Sequence, residues 1–260
     1  MNRRGRERRG RTAPAPVERR TEHALAEVVA DPGRPSTRTL LLDGREAGQV
    51  DINNPRRLGF AYMRRIADLI DAFRPEGTGL DVIHVGGGAC ALARYVEITR
   101  PRSRQLVLEL DAGVVALARE HLGLRPTPRL RVKVGDAAAL LPALQDSSAD
   151  LVIGDAFDGP YVPAQLSTAA FVAQVRRVLR PSGVYALNVI DVPGLEAVHA
   201  HDAVVAGAFG QIAWVAPPGV LRGRSPGNVV LLASDVPLPL VALRRAAAAA
   251  VPREQVLERS

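Results

Sequence analysis

The chain has 260 residues, enough for one large domain or for one domain with a small appendage. Hydrophobic residues make up 47% of it, and its one cysteine, Cys90, excludes an internal disulfide framework and fits a reducing compartment. The net charge of +7 is concentrated at the start, because residues 1–20 hold eight arginines and two glutamates and the other 240 residues carry only +1.

This charge distribution indicates a basic extension rather than a nucleic-acid-binding domain. We interpret residues 1–36 as an unstructured tail that contacts nucleic acid weakly, if at all. No apolar segment follows the arginines as a secretory signal would require, and no apolar run approaches ~20 residues. We therefore expect a cytoplasmic protein with no membrane contact.

The first predicted elements are a β-hairpin and a helix. Residues 37–56 contain two apolar segments on either side of Asp43-Gly44, a strong two-residue turn signal. Residues 58–73 then have apolar side chains at helical spacing. This predicted helix begins the main domain, which we assign to residues 57–250, and residues 251–260 are interpreted as a C-terminal tail.

From Leu80 onward, short apolar runs alternate with helical segments. The predicted strands are Leu80–Val85, Gln105–Leu110, Arg129–Val134, Asp150–Gly154, Gly183–Val189, residues 210–216 and residues 227–234. Helices are predicted between them and at residues 240–251. Alternation at this spacing predicts an α/β fold, a doubly wound Rossmann-like parallel sheet with helices on both faces.

Three consecutive glycines follow the first strand of this pattern. Gly86, Gly87 and Gly88 stand where a doubly wound sheet binds its ligands, beyond the carboxyl end of a strand. Glycine permits a tight turn and lets a ligand approach the backbone closely. The spacing Gly86-x-Gly88-x-x-Ala91 fits a nucleotide-binding fingerprint, although a plain strand-to-helix turn is the structural alternative.

Acidic residues follow the next strands and indicate which nucleotide is bound. Glu109 ends the second strand, where it would accept hydrogen bonds from a ribose, and Asp111 is either a second ligand or a helix cap. Asp136 and Asp155 end the third and fourth strands. A pyrophosphate disfavours a ring of carboxylates, whereas a positively charged sulfonium tolerates it. The pattern therefore favours an S-adenosylmethionine-type ligand, a fold of the class I SAM-dependent methyltransferase type, and no metal.

Several segments together resemble the spermidine synthase family, over roughly Leu40 to Ser234. They are "LLLDG", "FAY", "GGG", "LELDAGVVALARE", "VGDAAALL" and, most specifically, "DAFDGPYVPAQLSTAAF". The N-terminal hairpin ahead of the core also resembles that family. The resemblance implies transfer of the aminopropyl group of decarboxylated S-adenosylmethionine to a small amine, in polyamine biosynthesis, by a protein that could form a homodimer.

The resemblance also implies residue roles. Asp155 would be the catalytic base, Asp158 would help to hold the amine, and Tyr62 would contact it. The resemblance and the strand-end predictions above together give the residues expected to hold the adenosyl part: Gly86, Gly87, Gly88, Glu109, Asp111, Asp136 and Ala137.

Three departures from the family pattern lie on the amine side. The aspartate of the family's G-G-G-D-G-G is Ala89 here, its Y-H-E or Y-Q-E is Tyr62-Met63-Arg64, and its D-E before a phenylalanine is Leu58-Gly59. Each change removes an acceptor for a cationic amine, which is costly to bury unpaired. We expect a retained nucleoside half and an eroded diamine half.

Two alternatives to aminopropyl transfer remain at this stage. The first is a methyltransferase that uses intact S-adenosylmethionine on the same scaffold, since Ala89 removes an acid that would repel the carboxylate of that molecule. The second is a non-catalytic nucleoside-binding protein. Other residues are expected to be structural: Cys90 and His84 as buried core, Trp214 as packing, and His199-x-His201 without a metal because both rings cannot share one helix face.

Overall fold

The computed structural model describes residues 15–259, and residues 1–14 of the predicted basic tail lie outside that range. Within it, the chain forms a four-stranded antiparallel sheet followed by an eight-stranded mixed sheet. The small sheet contains β1 (Val17–Arg20), β2 (Leu25–Ala30), β3 (Thr37–Leu42) and β4 (Arg45–Asp51), paired in that order.

The prediction of a tail over residues 1–36 was wrong for its second half. Residues 25–30 alternate between partly exposed and buried side chains, the pattern of a half-buried strand, and β2 pairs with β3. β1 in turn pairs with β2, and Arg19 forms an ion pair with Glu120 at 2.8 Å. The predicted hairpin is therefore the second half of a larger sheet, which β1 and β2 join through backbone pairing.

The large sheet carries the main domain. Its strands are β5 (Asp81–Val85), β6 (Arg104–Glu109), β7 (Leu130–Val134), β8 (Ala149–Gly154), β9 (Leu179–Asp191), β10 (Gln211–Ala216), β11 (Gly227–Ser234) and β12 (Gln255–Arg259). They are ordered β12-β10-β11-β9-β8-β5-β6-β7. β5 to β9 are parallel to their neighbours among themselves, as predicted, whereas β10, β11 and β12 pair antiparallel.

Helices cover both faces of this sheet. They are α1 (Ala61–Phe73), α2 (Ala91–Thr99), α3 (Ala112–His121), α4 (Ala137–Leu140), α5 (Ala169–Val178), α6 (Glu196–Ala206), α7 (Pro218–Leu221) and α8 (Leu240–Ala249). α1, α2, α3 and α8 contribute to one apolar core, and α5, α6 and α7 to the other. The predicted doubly wound arrangement is confirmed. None of the helices in residues 15–259 has the length and apolar character needed to cross a membrane.

The prediction of a C-terminal tail at residues 251–260 was wrong for half of that segment, residues 255–259. β12 pairs with β10 along five residues. The guanidinium of Arg259 lies 4.7 Å from the ring centroid of Trp214, and Arg244 forms an ion pair with Glu258 at 3.0 Å. The side chains of β12 are largely exposed, so backbone pairing rather than apolar burial holds this strand, and an apolar pattern in the sequence does not reveal it.

Candidate functional site

The glycine loop after β5 needs glycine for steric and conformational reasons. Gly86 and Gly88 have φ values of +89° and +46°, in the left-handed region that glycine tolerates. A Cβ at position 86 would lie 2.5 Å from the backbone oxygen of Asp155. The first glycine therefore allows β5 to pass directly beside the residue that follows β8.

Glu109 fixes the outer side of this loop. Its Oε2 accepts hydrogen bonds from the backbone N–H groups of Gly87 and Gly88, at 2.7 and 2.9 Å, and its Oε1 accepts one from Asp111 at 3.0 Å. Each carboxylate oxygen has two lone pairs. Oε1 therefore retains a lone pair with which Glu109 can accept a ligand hydroxyl.

Asp136 stands at the end of the neighbouring strand β7 and is partly exposed. Its Oδ1 accepts a hydrogen bond from Ala138 at 2.9 Å and so caps α4, which begins at Ala137. Next to it, Leu110 and Val134 are each 47% exposed, which is high for apolar side chains. The edge beyond β6 and β7 thus combines a carboxylate with apolar surface, as a purine ring requires.

Asp111 serves as a helix cap. Its Oδ1 accepts from Gly113 and Val114 at the start of α3, at 2.7 and 3.3 Å, and its Oδ2 accepts from His23 of the small sheet at 3.3 Å. Burial opposes ionisation, but these bonds and one with Thr21 outweigh it and lower the pKa of Asp111. The capping interpretation is therefore favoured over the ligand-binding one.

Asp155 follows β8 and lies opposite the glycine loop. Its Oδ2 accepts a hydrogen bond from the hydroxyl of Tyr62 at 3.0 Å, and its Oδ1 accepts one from the Asn188 side-chain amide at 2.9 Å. Burial raises the pKa of Asp155 to about 6, although both hydrogen bonds act against that rise. A carboxylate with a pKa near neutrality is a stronger base than an exposed one and is still ionised at pH 7.

The partners of Asp155 come from α1 and β9. Burial, and then the adjacent carboxylate, raise the pKa of Tyr62 well above 10.0, so its hydroxyl stays protonated and donates a hydrogen bond to Asp155. Asn188 is 1% exposed, and its Oδ1 accepts a hydrogen bond at 3.0 Å from the side-chain amide of Asn228 on β11. The sequence analysis missed both asparagines, because neither lies in a recognisable motif.

Asp158 lies in the loop after Asp155 but is exposed. A small backbone bridge with Tyr161 shapes this loop, with hydrogen bonds of 2.8 and 3.1 Å in the two directions. The Tyr161 side chain is 68% exposed. The structure thus brings Tyr62 and Asp155 into direct contact and leaves the carboxylate of Asp158 facing solvent.

The small sheet closes over the glycine loop, a contribution that sequence reasoning missed. A Cβ at position 88 would lie 3.0 Å from the carbonyl oxygen of Ala47 on β4, and one at position 48 would lie 2.7 Å from the Cβ of Ala89. Ala89 is only 2% exposed. β4 therefore occupies the space beside the residue at which the family pattern has an aspartate.

The other departures from the family pattern also have a structural role. Arg64 donates hydrogen bonds to the carbonyl oxygens of Leu58 and Gly59, each at 3.0 Å, so its charge is directed at that segment rather than at Asp155. A Cβ at Gly59 would collide with the Gln49 side chain, 1.8 Å away. Met63 is buried and lines a cavity of about 20 Å³ behind the glycine loop, room for about one water molecule.

The remaining singled-out residues are structural. His84 is buried, its Nε2 lies 2.9 Å from Oε1 of Gln105, and burial lowers its pKa to about 4. Cys90 is buried and its pKa is raised to about 12, first by burial, so it is no nucleophile at neutral pH. Trp214 is packed in the core and bonded to Asp202. Residues 15–259 contain no cluster of three metal-ligating side chains.

The fold is Rossmann-like, of the SAM-dependent methyltransferase type, and its carboxylates lie at the carboxyl ends of the strands next to the glycine loop. Human methyltransferase-like protein 13, solved in complex with SAH, has this fold at a TM-score of 0.58 and 20% identity. The structural match covers 72% of this chain and 92% of the human protein's chain. A sequence model of the spermine/spermidine synthase domain matches residues 59–208, more than half of the chain. The chain therefore belongs to the spermine/spermidine synthase family.

Individual relatives agree with this assignment. A crystal structure of a probable spermidine synthase from Corynebacterium glutamicum has a TM-score of 0.86 and 30% identity, covering 94% of this chain and 91% of that one. A polyamine aminopropyltransferase from Vibrio vulnificus is 31% identical over 138 residues, which cover 51% of this chain and 44% of the relative. The chain thus spans less than half the length of the curated relatives it matches.

Proposed function

We propose that this protein transfers the aminopropyl group of decarboxylated S-adenosylmethionine to an amine. The observation that carries the proposal is the Asp155 carboxylate, held by Tyr62 and Asn188 directly beside the glycine loop, in a chain of the spermine/spermidine synthase family. Relatives named polyamine aminopropyltransferases support the reaction type. The acidic sheet edge supports a cationic nucleoside.

The nucleoside would lie on the open side of the glycine loop, because the cavity behind that loop holds no more than a water molecule. Glu109 would accept a ribose hydroxyl through the free lone pair of Oε1, and Asp136 would accept the adenine amino group through Oδ2. Leu110 and Val134 offer apolar surface to the ring. Gly86 and Gly88 would keep the loop close to Asp155 and to β4, beside the sulfur-bearing side.

The chemistry asks little of the protein beyond positioning and a base. Asp155 would accept a proton from the acceptor ammonium and thereby free the nitrogen lone pair. That lone pair forms a C–N bond to the aminopropyl carbon next to sulfur, the C–S bond breaks, and its electron pair neutralises the sulfonium. Asp155, with its pKa raised to about 6 by burial, suits the role of general base at neutral pH.

The residues on the acceptor side of the site support an acceptor amine with fewer positive charges than a diamine. The acids of the family pattern are replaced by Ala89, which is buried against β4, and by Gly59, which is packed against Gln49. Asp158, the remaining carboxylate of the loop, is exposed. A second ammonium would find one solvated carboxylate and no buried partner among the described residues, so its recognition would contribute little.

A mass-spectrometric assay with decarboxylated S-adenosylmethionine and a panel of mono- and diamines tests this function. We expect an amine product that carries one added aminopropyl group, together with 5′-methylthioadenosine, and we expect both to disappear with Asp155→Asn. A parallel reaction with intact S-adenosylmethionine detects methyl transfer instead. Absence of product from every amine, or methyl transfer alone, would contradict the proposal.

A further inference from the structure

A line of three side chains runs from Asn228, near the start of β11, to Asp155. Asn228 donates to Oδ1 of Asn188 at 3.0 Å, and Nδ2 of Asn188 donates to Oδ1 of Asp155 at 2.9 Å. Asn228 pairs with Ile190 in the β9–β11 register, two residues beyond Asn188, so its side chain is on the sheet face that Asn188 uses. The base therefore has an indirect partner on an antiparallel strand.

We propose that Asn228 is a positioning residue for the base, because it holds the Asn188 amide with its N–H directed at Asp155. This proposal rests on the proposed function for the role of Asp155, but the orientation itself does not. The two ends of a carboxamide have nearly the same shape and opposite hydrogen-bonding character. Packing around Asn188 therefore cannot by itself determine which end of its carboxamide faces Asp155.

Asn188 needs such a lock because it has little access to water. The residue is 1% exposed, so solvent does not restore a lost hydrogen bond at its oxygen. Asn228 supplies a donor to that oxygen, which leaves only the amide N–H for the carboxylate. With an acceptor at position 228 instead, Asn188 would turn its N–H toward that acceptor and its oxygen toward Asp155.

The orientation of Asn188 decides how readily Asp155 ionises. The groups facing the Asp155 carboxylate are the Tyr62 hydroxyl from α1 and the Asn188 amide from β9, and no ion pair to it occurs within residues 15–259. Burial raises the pKa of Asp155, and the donor from Asn188 counteracts that rise. If the Asn188 carboxamide were reversed, no donor from it would counteract the effect of burial, and the pKa of Asp155 would be higher.

The test measures the pKa of Asp155 in the free, full-length protein by 13C NMR of labelled aspartate carboxylates, with the Asp155→Asn spectrum for assignment. We expect Asn228→Ala to raise that pKa by about 0.5 to 1 unit and Asn228→Asp to raise it further. Ser234→Ala is the matched control, because Ser234 lies on the same strand and its hydroxyl also makes hydrogen bonds: it donates to the Gly183 carbonyl oxygen at 2.9 Å and accepts from the Val236 N–H at 3.2 Å. It should leave the pKa unchanged.

The same variants are then compared in the pH profile of kcat/KM with the amine found active. The acid limb should move upward with the pKa in both Asn228 variants and stay in place in Ser234→Ala. An unchanged Asp155 pKa in both Asn228 variants would overturn the proposal, whatever the activity. Shifted pKa values without any transfer activity would instead support the orientation and reject the proposed function.

Discussion

The amino-end and carboxyl-end edges of the large sheet carry different acidic residues and use them in opposite ways. At the amino ends of the strands, Asp81 contacts Arg104 and Arg180, each at 2.6 Å, and Asp150 contacts Arg180 at 3.0 Å. At the carboxyl ends, Glu109, Asp136 and Asp155 form no ion pair with any described residue. They accept hydrogen bonds from backbone, amide and phenol groups.

This difference separates structural charge from charge that is available to a ligand. At the amino-end edge, arginines neutralise each carboxylate, so the pairs contribute to folding and attract no cation. At the carboxyl-end edge, neutral donors fix the carboxylates in place and leave their negative charge uncompensated. A cation that binds there would supply the missing positive charge, which is the basis of the proposed binding of a sulfonium and an ammonium.

Removing the proposed base at the carboxyl-end edge should have the largest effect on function. We expect Asp155→Asn to lower kcat/KM by about 10²–10⁴-fold, the usual contribution of a general base. We compare the two proteins at a temperature at which both are folded, because the substituted amide keeps one acceptor oxygen for two donors, Tyr62 and Asn188. An active enzyme with the normal pH profile would show that Asp155 is not the base.

A Cβ in the glycine loop should disturb that edge sterically. In Gly86→Ala the new Cβ would lie 2.5 Å from the Asp155 backbone oxygen at a φ of +89°, so we expect a loss of about 2–3 kcal/mol of stability and weak nucleoside binding. Gly159→Ala is the control, since Gly159 has φ +58° and nothing within 4 Å. Equal effects in denaturant unfolding and in binding would mean that the contact with Asp155 is unimportant.

The two edges should also differ in how pH affects stability. Because the folded-state pKa of Asp155 is raised to about 6, its ionised form disfavours folding above that pH, and this penalty is relieved as the pH falls toward the unfolded value of 3.8. Relative to Asp155→Asn, the parent should gain about 2–3 kcal/mol between pH 7 and pH 4.

Asp81 provides the opposite sign in the same measurement. Hydrogen bonding to Arg104, the largest cause, lowers the pKa of Asp81, so its stabilisation is complete above the unfolded value and is lost as the pH falls through the folded one. Compared with Asp81→Asn, the parent should therefore lose stability below pH 3.8. If the difference in unfolding free energy between parent and variant changed in the same direction with pH at both positions, the distinction between the two edges would be contradicted.

The smallest effect is expected for a paired acid at the amino-end edge. Asp150 accepts a hydrogen bond from the Asp81 backbone at 2.8 Å and is nearly buried, so Asp150→Ala should lower stability by about 1–2 kcal/mol. Its arginine partners are partly exposed and can be rehydrated, which limits the loss. At a temperature where the variant is folded, kcat/KM should equal that of the parent within a factor of about two.

Local sequence signals predicted the parts of the fold that depend on local chemistry. The strand at residues 227–234 agrees with β11 to the residue, and two of the three glycines after β5, Gly86 and Gly88, have positive φ values in the tight turn that their sequence predicts. Residues 25–30 alternate in burial but were masked by the neighbouring arginines, and β12 is held by backbone pairing that no side-chain pattern records.

The site was predictable where each residue follows a strand of the parallel sheet. Glu109, Asp136 and Asp155 could be assigned to one edge because strand ends of a parallel sheet meet there. The contact of β4 with Ala89, and the Asn188–Asn228 pair, depend on strands distant in sequence that pair or pack in three dimensions. The order in which the strands pair determines these contacts, and a short stretch of sequence does not reveal that order.

One binding comparison tests the uncompensated charge of the carboxyl-end edge most directly. Decarboxylated S-adenosylmethionine and 5′-methylthioadenosine share the adenosine, but only the first carries positive charge. Titration calorimetry at low and moderate salt should give a Kd for the cationic nucleoside at least about tenfold lower, and Asp155→Asn should narrow the gap. Equal affinity for the two nucleosides, or binding of neither, would contradict the account.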